Sequence, residues 1–259
     1  MNNLKNIKII ISYDGTNYFG WQKQKNKKTI QGTIEDTIRK IIGENEIKLN
    51  GSGRTDAGVH AIGQVANFVT QNNLPIEKWP IVLNYNLPGD IRIKNAKEVN
   101  ITFHARYSAK SKLYKYYVMN RYYKENIISS KQVFLKNYCY FLNNKLDIDR
   151  MKEVAKYLIG CHDFSPLSCF NKKKGERKKN KKRTISKINI KRKQQLVCFS
   201  IEANAFLYKM VRIIIGTLID FSINQRKPEE IIQILENKDN QNSGKVAPPQ
   251  GLYLVKVNY

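Results

Sequence analysis

Two spacings of apolar residues run through this chain, and the switches between them mark its elements. Residues 7–13, IKIIISY, form a short β-branched run that ends in Asp14-Gly15 followed by Thr16 and Asn17, which predicts a strand and then a loop. From Thr29 the period lengthens. Ile30, Ile34, Ile38, Ile41 and Ile42 recur at helical spacing, Thr29 supplies a capping side chain and Gly43 suits a left-handed stop, so a helix of about 14 residues is predicted. Ile47–Leu49 and Gln64–Thr70 read as strands on either side of the glycine-rich segment Gly51–Ala61. Pro75 and Pro80 introduce a shorter helix ending near Pro88, and Asp90–Val99 alternates like a half-buried strand.

A similar order follows. Phe103-His104-Ala105 leads into a long strand, Lys112–Met119, and a helix over Asp149–Ile159 turns Met151, Val154, Ala155 and Leu158 inward. Strands at Thr184–Lys191 and Leu196–Ala203, a long helix from Ala205, a short helix opened by Pro228-Glu229-Glu230 and a last strand, Leu252–Val257, complete the pattern. The regular βαβ cadence of a doubly wound parallel sheet is missing, so the fold class is α+β. Two similar halves are expected, 1–105 and 106–259, each a mixed or antiparallel sheet with helices on one face.

Composition narrows the partners. Across 259 residues, 46 Lys and Arg stand against 21 Asp and Glu, a net charge of +25, while 41% of residues are hydrophobic. That is a globular chain whose charge favours a polyanionic partner, nucleic acid first. Codon composition accounts for some of the Lys, Asn and Ile but not for the shortage of acids. The densest charge lies at 171–183, where Lys172–Arg183 holds nine basic residues and one acid in twelve positions. Such a run stays solvated and suits phosphate contact, which adds affinity without specificity.

Cys139, Cys161, Cys169 and Cys198 form no CxxC pair, and His60, His104 and His162 show no ligand spacing, so reduced thiols and no metal site are expected. The apolar stretch near the N-terminus is short and lacks a small-residue cleavage site, and Lys209, Arg212 and Asp220 interrupt the greasiest segment, Phe206–Ile223. A soluble cytoplasmic protein with no membrane association is the expectation.

The segment Gly51–Ala61, GSGRTDAGVHA, concentrates chemistry. Its glycines permit a tight backbone path and close approach of a ligand, while Arg54 and Asp56 set a cation beside a carboxylate. This suits an anionic ligand and an acid–base or nucleophilic carboxylate. It is not a dinucleotide fingerprint, because position 56 is Asp where the third glycine would stand and no helical pattern follows. Tyr13-Asp14-Gly15-Thr16 resembles the DxDGT of aspartyl phosphatases, but Ser12 occupies the nucleophile position.

Taken together, YDGTNYFGWQKQ (13–24), TIQGTIE (29–35), GSGRTDAGVHAIGQVANF (51–68), LNYNLPGDIRI (83–93), FHARYSAKSKLYKYYV (103–118), GCHDFS (160–165), ANAFLYKMVRIIIGTL (203–218) and APPQGLYL (247–254) closely resemble the tRNA pseudouridine synthase A (TruA) family over nearly the whole chain. The resemblance implies an enzyme that breaks the N1–C1′ bond of uridine in RNA, rotates the uracil and rejoins it through C5, with no cofactor and no metal. It implies Asp56 as nucleophile or general base and Arg54 as a contact to RNA backbone near the flipped base. Arg212 matches the arginine that pairs with the catalytic carboxylate, Tyr114 the tyrosine that stacks on the target uracil, and Leu252 an apolar residue lining the uracil pocket. The implied substrate is the anticodon arm of tRNA at nucleotides 38 to 40, read by shape. A homodimer and an active-site cleft between the halves are also implied. Lys112 departs from the Arg common before the stacking Tyr, and DFSINQRK (220–227) from a usual glycine-rich segment. A paralogue acting on ribosomal RNA would show much the same blocks, and a non-catalytic basic RNA-binding protein could share the scaffold.

Overall fold

The computed structural model describes residues 4–44, 46–120, 131–169, 180–237 and 243–259. The chain divides into two compact units, Met1–Lys110 with Tyr253–Tyr259, and Ser111–Leu252. The boundary lies five residues beyond the expected 105, and the last strand, expected in the second half, belongs with the first unit. Its pairing explains this. β10 (Leu252–Asn258) runs parallel to β3 (His60–Thr70), setting Tyr253 opposite His60 and Leu254 opposite Ala61. The chain end is fastened further by Lys110 N–H to Asn258 O at 2.8 Å and Tyr259 Oη to Ala105 O at 2.8 Å.

In the first unit β1 (Lys5–Tyr13) lies between β3 and β4 (Ile91–Val99), antiparallel to both, and the two-residue β2 (Asn50–Gly51) adds to β3. The period-2 pattern of β1 buries Ile7, Ile9 and Ile11, which sit opposite Phe68, Ala66 and Gln64 on β3. Helices α1 (Ile30–Ile42) and α2 (Lys78–Asn86) accompany this sheet. α1 follows its sequence signals. Thr29 accepts the Gly32 N–H, Gly43 ends the helix at φ 73° and returns its N–H to Arg39 O, and Ile30, Ile34 and Ile38 are fully buried. Burying three such side chains contributes about 5 to 9 kcal/mol before ordering entropy is counted.

Ile47–Leu49, expected as a strand, takes a different form. The Leu49 N–H goes to Glu35 Oε1 at 3.0 Å and its carbonyl accepts from Gln31 Nε2 at 3.0 Å, so side chains of α1 satisfy backbone that a partner strand would otherwise serve.

In the second unit β5 (Ser111–Asn120), β9 (Leu196–Ala203), β8 (Lys182–Lys193) and β7 (Gly160–Asp163) pair antiparallel in that order, with β6 (Tyr140–Leu142) parallel to the end of β5. Helices α3 (Lys131–Leu135), α4 (Ile148–Leu158), α5 (Met210–Ile223) and α6 (Glu230–Asn237) complete it. Both units thus place a helix between a first strand and its antiparallel partner, α1 between β1 and β3, α4 between β5 and β9. α4 buries the expected Met151, Val154, Ala155 and Leu158. α5 starts at Met210 instead of the expected Ala205, because Asn204 Oδ1 takes the Ala205 N–H at 2.7 Å and Lys209 adopts φ 57°, which no right-handed helix contains. The lysine-rich stretch 171–183 falls outside the described residues up to position 179. Among the described residues no helix is long and apolar enough to cross a membrane.

Segment 243–247 runs against α5 so closely that a Cβ on Gly216 would overlap the Lys245 carbonyl oxygen. Gly244 N–H bonds Thr217 Oγ1 at 3.0 Å and Ala247 N–H bonds Arg212 O at 3.1 Å. Gly216→Ala gains about 1 kcal/mol of helix propensity. Overlap with backbone that cannot rotate aside costs more, so a net loss of about 1 to 3 kcal/mol is expected, read as a lower Tm in thermal melts. An unchanged or raised Tm would contradict this packing.

Candidate active site

The glycine-rich loop is held in place by another loop, Tyr13–Gln24. Two glycines let their backbones touch. A Cβ on Gly15 would overlap the Val59 carbonyl, and one on Gly20, at φ 82°, would come to 2.5 Å from Thr55 O and 3.0 Å from Asp56 C. Trp21 N–H then bonds Thr55 O at 3.1 Å, and the buried Trp21 ring fills the space beside Gly51. Tyr13 Oη and Thr55 Oγ1 share a buried hydrogen bond of 2.8 Å; burial pushes the Tyr13 phenol above its usual range, so it stays protonated.

The opposite flank is held by β3. Ser52 N–H bonds Val65 O at 2.8 Å, Ser52 Oγ bonds Gln64 Oε1 at 2.6 Å and Gln64 Nε2 bonds Gly53 O at 2.8 Å. Within the loop Gly58 turns at φ 75° and Val59 N–H closes onto Asp56 O at 3.2 Å. Asp56, partly buried, and Arg54, exposed, therefore project from backbone fixed on both sides.

Arg54 is aimed by a chain of amides. Its Nε donates to Gln22 Oε1 at 2.9 Å, Gln22 Nε2 to Gln31 Oε1 at 2.8 Å, and Gln31 Nε2 to Glu35 Oε1 at 2.9 Å. The polarity has one solution. The Lys23 backbone N–H also requires Gln31 Oε1 as its acceptor, at 2.9 Å, and the buried Glu35 carboxylate, paired with Lys23 Nζ at 3.2 Å, only accepts. Gln22 is thus left with its oxygen toward Arg54.

In the second unit a second cluster forms. Arg212 Nε donates to Ala247 O at 2.7 Å, and Tyr116 Oη to Pro248 O at 2.8 Å. Burial pushes the Tyr116 phenol up against the opposing pull of the Arg212 charge, so it remains a donor. Gly251 lies against the Tyr116 ring, where a Cβ would come to 2.7 Å, and Leu252 follows it, buried at the start of β10. Tyr114 shares the inward face of β5 with Lys112 and Tyr116; it is buried, with Phe206 edge-on at 5.0 Å between centroids. The structure thus joins Arg54 and Asp56 in one loop, and Tyr114, Arg212 and Leu252 around the β5 face and the 247–252 segment.

Tyr116, Gln22, Gln31, Glu35 and Gln64 do not emerge from spacing, since amides and a buried phenol give no periodic signal. The histidines have structural partners. His60 is buried, accepts the Gly15 N–H at 3.1 Å and stacks on Tyr253; His104 accepts the Arg106 N–H, and His162 pairs with Ile159 O. Asp163 accepts the Ser165 N–H at the start of a short 3₁₀ turn. The cysteines are unpaired thiols, that of Cys139 pushed by burial to about 11. Among the described residues no group of three or more His, Cys, Asp or Glu could hold a metal ion.

The family model described as tRNA pseudouridine synthase matches residues 9–108 and 154–259, one stretch in each half. The chain is 48% identical to the tRNA pseudouridine synthase A of Caldicellulosiruptor saccharolyticus and 46% to that of a Thermoanaerobacter species, each over 99% of this chain and 100% of the relative. The enzyme of that name from Clostridium botulinum is 41% identical over the same shares. A solved Cbf5-Nop10-Gar1 complex aligns with a TM-score of 0.35 and 14% identity over 80% of this chain and 52% of that one, a weak likeness. Full-length identity to several synthases, with the Arg54–Asp56 loop inside the matched region, is decisive: this chain belongs to the tRNA pseudouridine synthase family.

Proposed function

We propose that this chain isomerises uridine to pseudouridine in tRNA, with Asp56 as the reacting carboxylate. The observation that carries the reading is the clamped loop, which holds a carboxylate side chain on backbone bonded from both sides, two residues from an exposed arginine that is hydrogen-bonded to Gln22. Isomerisation conserves atoms. The N1–C1′ bond breaks, a C5–C1′ bond forms, C5 gives up its proton and N1 takes one. Such a reaction asks for a carboxylate at the ribose or ring and a pocket that retains the detached uracil through its rotation.

The family resemblance assigns roles to the matching residues. Asp56 acts as nucleophile or general base, and Arg54 takes a phosphate beside the target, a cation–anion contact that a guanidinium makes with two parallel bonds. Arg212 is matched by the resemblance to the family's arginine partner of the catalytic carboxylate. Tyr114 offers its ring to a uracil that has left the stack, and Leu252 lines the apolar side of the pocket. Fixing Arg212 through Ala247 and Tyr116 through Pro248 keeps these groups from relaxing when the base rotates. The substrate site is the anticodon arm at nucleotides 38 to 40, and the working form is a cytoplasmic homodimer that needs no cofactor, as the family resemblance implies.

Asp56→Asn keeps the size but exchanges one acceptor oxygen for an amide donor and removes the charge, so turnover of unmodified tRNA is expected to fall to background while tRNA affinity stays near wild type; nucleotide-resolution pseudouridine mapping reads the first and filter binding the second. A variant that still turns over at a comparable rate ends the assignment. Tyr114→Phe keeps the ring and is expected to bind and turn over tRNA, whereas Tyr114→Leu raises KM; equal behaviour of the two would remove the stacking role. Replacing Lys172–Lys174 and Lys178, Lys179, Lys181 and Lys182 with Ser is expected to weaken tRNA binding and flatten its dependence on salt. An unchanged slope would assign that arm no RNA contact.

A further inference from the structure

The hairpin between Phe19 and Lys28 turns outward from the catalytic loop and carries only cationic, neutral and aromatic side chains. Phe19 N–H pairs with Lys28 O at 2.9 Å, Gln24 Nε2 bonds Phe19 O at 3.0 Å, and a Gln24–Lys27 bridge closes the tip, with Asn26 at φ 58°. At its root the next two residues touch the catalytic loop directly, through the Gly20 approach to Thr55 and Asp56 and the Trp21 N–H to Thr55 O. Gln22 carries the amide chain to Arg54. These bonds tie the root of the hairpin to the loop that carries Asp56.

Its outer face has the composition of a nucleic-acid contact. Phe19 is 53% exposed, which leaves its ring open to a partner. Lys27 Nζ stands 4.6 Å from the Phe19 ring centroid, and Lys28 Nζ 4.6 Å from that of Tyr18. Lys25, Lys27 and Lys28 are exposed and no acid lies between positions 19 and 28; the nearest carboxylate bonded to the hairpin, that of Glu35, is occupied by Lys23, Gln31 and Leu49. An aromatic face among fixed cations matches an unpaired base and its flanking phosphates, since stacking tolerates any base and the lysines track the backbone.

We propose that this hairpin is an RNA-contacting element, in which Phe19 stacks on an unpaired nucleotide neighbouring the target while Lys25, Lys27 and Lys28 hold its phosphates. The proposal rests on the RNA-modifying function above and adds a contact to it. The rigid root sets the register: a base stacked on Phe19 fixes which neighbouring nucleotide reaches Asp56, so the hairpin contributes to site choice as well as affinity.

The test uses the full-length protein and unmodified tRNA transcript. Phe19→Ala and Phe19→Leu are expected to weaken tRNA binding about fivefold or more, with kcat at saturating tRNA retained, and Phe19→Trp to restore binding. Lys25, Lys27 and Lys28 changed together to Gln are expected to reduce the slope of log K against log salt by about 2, at roughly 0.7 for each single-strand phosphate no longer neutralised. These side chains are exposed, so matching thermal melts will show that the variants fold. Wild-type affinity in Phe19→Ala together with an unchanged salt slope in the lysine variant overturns the hairpin contact and leaves the catalytic reading intact. Absence of pseudouridine from wild-type reactions overturns the catalytic reading instead, and the binding measurements then judge the hairpin by themselves.

Discussion

Two stretches of backbone in the first unit meet with no side chain between them. Gly15 abuts Val59, and Gly20 abuts Thr55, Asp56 and Ala57. Everything attributed to Asp56 depends on that contact. A carboxylate on an unsupported glycine-rich loop would sample many positions, and ordering it at the moment of reaction would cost about 1 to 2 kcal/mol for each residue fixed. Here the fixing is done during folding, by close approach that only glycine allows and by the Trp21 N–H bond to Thr55 O that the approach makes possible.

Polarity within the site is set by groups remote from it. Glu35 is buried on α1, far along the chain from Arg54, yet its acceptor-only carboxylate and the Lys23 N–H leave Gln31 one orientation, and Gln31 leaves Gln22 one orientation. The guanidinium at the end of the chain inherits its direction from those constraints. The second unit uses the same device differently. Arg212 and Tyr116 each donate to a carbonyl of one extended segment, at Ala247 and Pro248, and the packing of Gly244 against Gly216 and of Gly251 against Tyr116 presses that segment onto helix and strand. Leu252 follows this segment directly and is buried at the start of β10.

Local signals were legible where the chain itself supplies the partner. The start and stop of α1, the buried stripe of α4 and the alternation of β1 follow from spacing and caps, since each interaction joins residues a few positions apart. Ile47–Leu49 had the composition of a strand but lacked the deciding fact, that Gln31 and Glu35 would reach its backbone first. Ala205–Lys209 had helical composition but met the Asn204 side chain and a left-handed Lys209. The C-terminal strand read correctly as a strand, yet its partner, β3, lies almost two hundred positions earlier.

For the site, the sequence by itself determined the chemical inventory: a carboxylate and a guanidinium in a glycine-rich loop, an aromatic on a strand, an arginine on an apolar helix and a strong positive charge. Those blocks, in that order, also carried the resemblance to a family. The tertiary structure decided which groups are held and by what. Tyr116 and the glutamine chain acquire their partners only when segments distant in sequence are folded together, and Phe19 is left exposed on a hairpin whose root is bonded to the glycine-rich loop. Hydrogen bonds between distant side chains have no periodicity and no fixed spacing, so a linear pattern names the reactive groups without saying what orients them.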